Sequence, residues 1–323
     1  MGSLLVRHWF LAALLAVLVA GIGLTDSLAF LPRLSWLRPG IIATVMFMMA
    51  LPLHLDAFGG AMRHPRAPIL GVLVNSAFVP LLAWCVVLIL RATATCSDDT
   101  LFGVLIAATV PCTLASASVW TRRAGGNDAV SIMVTIVTNS LCFLIAPAWL
   151  LVMLGKMPNF DPLAMVAKLG LLVVLPIAVA QGLRAARPIG IWATKNKASL
   201  SVLAQCGVLL MVLLGAIATG RKLSDSESSL GSEIIVGTMA VLLIHLTALF
   251  AGMGLATLVR VDRRDAIAVG FSGSQKTLPI GVEICAQLSV TILPMFAYHV
   301  GQLLVDTVVA DRWRKPSNLK HAE

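Results

Sequence analysis

Long apolar runs, separated by short charged or Pro/Gly-rich interruptions, occupy nearly the whole chain, at about 4–24, 39–55, 68–90, 101–120, 129–154, 163–183, 200–219, 234–258, 266–288 and 291–310. Most are close to the roughly 20 residues that an α-helix needs to cross the hydrocarbon core, and none shows the alternation of a transmembrane β-strand. The pattern predicts an all-α polytopic membrane protein of ten transmembrane helices. Arg7 and His8 before the first run resemble the start of a signal peptide, but no small-x-small cleavage site follows, and the even count retains this run as a span.

Composition narrows the function. The 323 residues are 59% hydrophobic and 12% charged, with mean hydropathy +0.94, whereas a soluble domain is about 45–50% apolar and about 25% charged. A soluble enzyme is excluded, and the interruptions are too short for an extramembrane catalytic domain. The net charge of +9 reads as a topology signal rather than as a nucleic-acid footprint, because Lys and Arg concentrate in cytoplasmic loops. With the N-terminus inside, 16 of the 24 cationic residues fall in cytoplasmic loops and seven outside. Both termini are therefore expected in the cytoplasm of a multi-pass cell-membrane protein. Six cysteines lack metal-ligand or redox spacing, so neither a disulfide framework nor a metal centre is expected, and no cofactor is expected beyond a Na⁺ ion.

Two spans interrupt themselves. The fourth contains PCTLASAS (111–118) and the ninth GFSGSQKTLPIG (270–281), fourth in the first and second sets of five. Unsatisfied backbone at membrane depth costs several kcal/mol per group unless it lines a cavity or is buried in protein. Broken helices at matching positions of two halves point to a transporter's midplane site. Because five is odd, the second half enters from the opposite side, and the repeats are expected to be inverted.

Lys276, within the ninth span, is the most informative residue, since an ammonium at the bilayer centre costs roughly 2.5–3.5 kcal/mol. It reads either as a fixed cation that helps hold an anion or replaces an ion, or as a structural charge locked to carbonyls and a carboxylate. Glu283 is the candidate partner. Ser274, Gln275 and Thr277 flank Lys276. In the tenth span His299, Gln302 and Asp306 are spaced i, i+3, i+7, so this polar stripe turns into the bundle, as a relay, a substrate contact or interhelical hydrogen bonds. His245 reads as a satisfied interior histidine. The fifth span opens on Gly125, Gly126, Asn127 and Asp128, and its Ser131 and Thr135, at i and i+4, either offer two oxygen ligands to Na⁺ or bond back to their own helix.

These residues resemble the bile acid:sodium symporter superfamily, specifically its SBF-like branch, over nearly the whole chain. The carriers are MFMMALPL (46–53), VNSAFVP (74–80), GNDAVS (126–131) with Thr135, GSQKTL (273–278) and YHVGQLL (298–304). The resemblance implies two inverted five-helix repeats with broken, crossing helices 4 and 9. It further implies panel helices 1–2 in residues 1–62, core helices 3–5 in 63–156, panel helices 6–7 in 157–224, and core helices 8–10 with a cytoplasmic tail in 225–323. On the family's sodium-binding pattern, Asn75, Ser131, Thr135 and Gln275 fall at matching positions, and Ser118 stands where Asn is usual. The acidic residue four places before the glutamine is Phe271 here, and the residue after it is Lys276. That exchange changes the site by two charge units, and an ammonium repels a second cation.

The expected function is secondary active transport of a small organic anion by alternating access, with Lys276 replacing one ion in a symporter-like site, or with proton-coupled or uncoupled transport as the alternative. From another class, the short GFSG (270–273) matches an intramembrane serine protease with Ser272 as nucleophile and His245 or His299 as base. Walker, His-Glu-x-x-His and dinucleotide motifs are absent from the sequence.

Overall fold

The computed structural model describes residues 9–54, 65–155, 160–224 and 230–314. Those residues form helices, and no strand occurs among them. In chain order the helices are α1 (Trp9–Gly23), α2 (Leu37–Ala50), α3 (Arg66–Ala92), α4 (Asp98–Thr109), α5 (Ser116–Arg123), α6 (Asp128–Leu154), α7 (Pro162–Arg184), α8 (Arg187–Lys195), α9 (Lys197–Ser224), α10 (Leu230–Leu258), α11 (Arg263–Ser274), α12 (Leu278–Gln287) and α13 (Leu293–Trp313). Stretches of α3, α6, α7, α9, α10 and α13 are each long and apolar enough to cross a membrane; α1 and α2 are shorter apolar helices. Arg7, Arg63, Lys156, Lys315 and Lys320, used in the charge count, lie outside the described residues, as does the predicted extension of the second span to residue 55.

Local chemistry sets the helix starts. Ser97, Asn127, Asp161 and Asp262 stand just before α4, α6, α7 and α11, and each side chain accepts from a first-turn amide, Asp161 from both Leu163 and Ala164. The amphipathic helix α8 lies in what the apolar pattern leaves as a loop.

Two helices carry a wide π turn, α3 over Val74–Phe78 and α7 over Gly170–Val174. Proline explains both. In α3 the Val79 N–H bonds Val74 O instead of Asn75 O, and Pro80 has no N–H to offer Asn75 O or Ser76 O. Two carbonyls are thus released in mid-helix. The Trp149 indole on α6 donates to Ser76 O at 2.7 Å. The Asn75 carbonyl is taken up by a residue of the site below. Proline acts similarly at Val110, where the residue before Pro111 is pushed into extended conformation (φ −69°, ψ 156°) and α4 ends.

The helices pack in two groups. In one, α9 lies along α1 and α2, and α7 lies on α2; in the other, α11 sits among α3, α5, α6 and α10, with α13 against α10 and α4. Close approach within the second group needs glycine at two points: a Cβ on Gly273 would come 2.7 Å from Val74 Cγ1, and one on Gly71 2.5 Å from Val134 Cγ2. The groups meet where α6 touches α7 and where α12 touches α9 and α2.

Candidate functional site

Residues 110–115, between α4 and α5, and 275–277, between α11 and α12, face one another. The Thr277 N–H donates to Pro111 O at 2.9 Å, so the two breaks satisfy part of each other's backbone.

Lys276 is fully buried at this junction. Its Nζ donates to Asn75 O at 2.7 Å, the carbonyl released by Pro80, and to Val110 O at 2.9 Å, with Asn75 Oδ1 at 3.4 Å. Val110 follows the last residue of α4, so the ammonium occupies the negative end of that helix as well as a cradle of carbonyl oxygens. Asn75 contributes from the other side of its amide: Nδ2 lies 3.2, 3.1 and 2.9 Å from the carbonyls of Ser272, Gly273 and Gln275 at the end of α11. Glu283 does not pair with Lys276. It bonds Lys168 Nζ on α7 at 2.6 Å, because the break between α11 and α12 cancels the heptad alignment that would have put the two residues on one face.

The backbone of Lys276 is held by a single side chain. Gln302 on α13 accepts from Lys276 N and donates to Lys276 O, both at 2.9 Å, pairing as a neighbouring strand would, and its Nε2 lies 3.0 Å from His299 Nδ1. The third member of the polar stripe serves a different neighbour. Gln275 Nε2 donates to Asp306 Oδ2 at 2.5 Å, and Asp306 Oδ1 lies 3.0 Å from His245 Nε2, whose Nδ1 is 3.4 Å from Ser274 O. The Tyr298 hydroxyl also reaches Ser274 O, at 2.8 Å. All these groups are buried.

The first break is held by α6. Asn139 Nδ2 donates to Cys112 O and Thr135 O at 2.8 Å each, Thr138 Oγ1 accepts from Cys112 N at 3.3 Å, and Thr135 Oγ1 donates to Thr113 O at 3.3 Å. Thr113 Oγ1 and Ser116 Oγ lie 2.6 and 2.8 Å from Gln275 Oε1, joining the breaks through side chains. Of the proposed Na⁺ ligands, Thr135 and Gln275 are thus linked through Thr113. Ser131 is fully buried, and its Oγ has no hydrogen-bond partner.

Asn127 sits apart, at the start of α6, where its Nδ2 donates to Asp265 Oδ1 at 2.8 Å. Ser118 is buried on α5, and no hydrogen bond is described between it and the Lys276 cradle. Phe271, at the position of the family's acid, packs its ring 5.4 Å from the Trp313 ring in an apolar cluster. The protease arrangement is absent: Ser272 Oγ donates to Ala268 O at 2.6 Å, while His245 and His299 engage Asp306 and Gln302. Thr113, Ser116, Thr138, Asn139 and Tyr298 join the network without having been singled out from the sequence. Asn139, an amide in the middle of an apolar run, was the detectable signal.

A cavity of about 100 Å³ borders the breaks. Thr113 to Ser116 at the start of α5 line it together with Thr277 and Pro279 at the start of α12. Met49 on α2, Gln205 and Val208 on α9, Phe10 on α1 and His299 and Leu303 on α13 complete the lining. The cavity therefore meets the positive ends of two helices, while Lys276 occupies the negative end of α4.

Over 282 residues the chain is 24% identical to Sodium/bile acid cotransporter 7 of Rattus norvegicus, covering 83% of this chain and 80% of the rat protein. It is 23% identical over 325 residues to Sodium/bile acid cotransporter 7-B of Xenopus laevis, covering 94% and 90%. A Pseudomonas aeruginosa protein, PA2026, is 26% identical over 292 residues, covering 87% and 85%. The model of the SBF-like CPA transporter family matches residues 5–315. With that match across nearly its whole length, and with several helices able to cross a bilayer, the chain is a multi-pass membrane protein belonging to the SBF-like CPA transporter family.

Proposed function

We propose that the protein is a secondary carrier for a small organic anion, working by alternating access, with the Lys276 ammonium as a tethered cation in place of a coupling ion. The observation that carries this reading is the division of charge at the breaks: the ammonium fills a carbonyl cradle, while the helix N-termini of α5 and α12 face the cavity. An anion in that cavity meets two positive helix ends, so a carboxylate or sulfonate is the class it suits. A second Na⁺ beside Lys276 would meet like-charge repulsion.

The reading takes the chain as two inverted five-helix repeats. Its support is that each half contains one broken helix, and that a late amide, Asn139 in the first half and Gln302 in the second, bonds the backbone of its own break. α1, α2, α7 and α9 then form a panel against which the other helices rock, with both termini cytoplasmic. Ser131, Thr135 and Gln275 remain the oxygen set nearest to a residual Na⁺ site, and the unpartnered Ser131 hydroxyl is its best element.

The test is uptake of a library of small carboxylates and sulfonates into proteoliposomes, with Na⁺, K⁺ and pH gradients imposed separately. Uptake with little dependence on Na⁺, lost in Lys276→Ala, is expected. A steep, saturable Na⁺ requirement that persists in Lys276→Ala overturns the tethered-cation reading, and hydrolysis of a membrane peptide in place of uptake overturns the carrier.

A further inference from the structure

Helix α8 joins two membrane-length helices through very short connections, since α7 ends at Arg184, α8 runs from Arg187 to Lys195, and α9 begins at Lys197. It is therefore held at the level where those two helices leave the bilayer. Exposed apolar side chains continue to Leu183 on α7 and resume at Val202 and Leu203 on α9, so apolar surface reaches close to both ends of α8.

The two sides of α8 differ. On one, Ala193 is fully buried, and Thr194 Oγ1 lies 3.2 Å from Arg184 Nη2 and 3.2 Å from His54 Nε2, while Arg184 Nη1 donates to Leu51 O at 3.0 Å. That side is seated on α7 and on the end of α2. On the other, Ile191 is 61% and Trp192 52% exposed. Positions 187, 191 and 195 are successive i, i+4 neighbours, and so are 188 and 192. The exposed face thus reads Arg, Ile, Lys beside Pro, Trp, with apolar side chains in the middle and a cation at each end.

The charge on this face is uncompensated. None of the ion pairs among the described residues includes Arg187, Lys195 or Lys197, and the sequence has no Asp or Glu between Asp161 and Asp225. An amphipathic helix with Trp and Ile on one face and basic residues at its edges suits the boundary between headgroups and acyl chains, where Trp is favoured and the stems of Lys and Arg reach back to the headgroups. A soluble acidic partner would have to take Ile191 and Trp192 away from a boundary at which the two flanking helices already hold them. Anionic phospholipid is already there.

We propose that α8 is an anionic-phospholipid site, with Ile191 and Trp192 set into the acyl boundary and Arg187, Lys195 and Lys197 on the headgroup phosphates. Through Thr194 and Arg184 the bound lipid then fastens the helix group of α2, α7 and α9 to its leaflet. With both termini in the cytoplasm, that leaflet is the cytoplasmic one, whose anionic lipids attract basic segments. Lipid binding itself does not rest on the carrier reading.

The test is quenching of tryptophan emission in the detergent-solubilised full protein by phospholipids brominated on their acyl chains, the Trp192 signal being the difference between the wild type and Trp192→Phe. Brominated phosphatidylglycerol is expected to quench that signal at lower concentration than brominated phosphatidylcholine, and added salt should narrow the gap. Arg187→Gln, Lys195→Gln and Lys197→Gln should each weaken quenching by phosphatidylglycerol about fivefold, as for a basic residue at an anionic surface, and the triple variant should treat the two lipids alike. All three side chains are exposed, so the melting temperature without added lipid should match that of the wild type. Equal quenching by both lipids in the wild type, a preference that survives the triple substitution, or a Trp192 signal that neither lipid quenches overturns the proposal, whether or not the protein carries anions.

Discussion

The two breaks use one backbone device and differ in what they place on it. At 110–115 the side chains are neutral, and the backbone is shared among three α6 residues, Thr135, Thr138 and Asn139. At 275–277 the segment carries an ammonium, and one α13 residue, Gln302, supports both the N–H and the C=O of Lys276. The first break therefore serves the second, lending Val110 O as an acceptor to its charge and the Thr113 hydroxyl as a donor to its glutamine. A burial that would be costly for an isolated ammonium is offset by carbonyls with no other donor. Pro80 is the origin of one of those carbonyls, so a proline on α3 and a lysine two hundred residues later form a single structural unit.

The largest effect is expected from emptying the cradle. Lys276→Met removes two charged hydrogen bonds, worth about 1.5–3 kcal/mol each, and should lower stability by roughly 3–6 kcal/mol and abolish uptake. Thermal unfolding in detergent measures this, and added Na⁺ should raise the melting temperature of the variant more than that of the wild type. A variant as stable as the wild type and indifferent to Na⁺ would show that the carbonyls do not form a cation cradle.

The next comparison sets the two supporting amides against each other. Gln302→Leu strands two backbone groups of Lys276 at about 1–3 kcal/mol each, whereas Asn139→Leu takes a donor from Cys112 O while Thr138 still holds Cys112 N. Gln302→Leu should therefore be the more destabilising by denaturant unfolding. Equal losses would mean that the second break does not depend on one side chain.

The smallest effect concerns the link between the breaks. Thr113→Val and Ser116→Ala each remove a donor near Gln275 Oε1, worth about 0.5–1.5 kcal/mol, and because they share that acceptor their effects should not add. A double-mutant cycle on unfolding free energy measures the coupling. Strict additivity would make the Thr113 and Ser116 contacts independent of Gln275.

The sequence showed most of the helices because an apolar run of membrane length permits little else, and a proline or glycine inside it marks where the helix fails. Pro111 and the GSQKT segment located both breaks, and the cost of a mid-membrane charge picked out Lys276. The hydroxyls of Thr113 and Ser116 were less legible, since small polar residues occur in membrane helices for many reasons. The protease match failed for the same reason: four residues do not reveal that the Ser272 hydroxyl bonds back to Ala268. α8 was missed because a short amphipathic helix leaves no long apolar run.

By itself the sequence determined a membrane-embedded helical protein with two interrupted helices and a buried cation, because hydrophobic length, helix breaking and the cost of burying charge are local properties. Which partner that cation found was decided only in three dimensions. Glu283 is seven residues from Lys276 and pairs with Lys168, while Asn75 and Val110, more than 160 residues away, supply the oxygens. A broken helix changes the direction of every side chain beyond the break, so spacing along the chain stops predicting contact where the site is built.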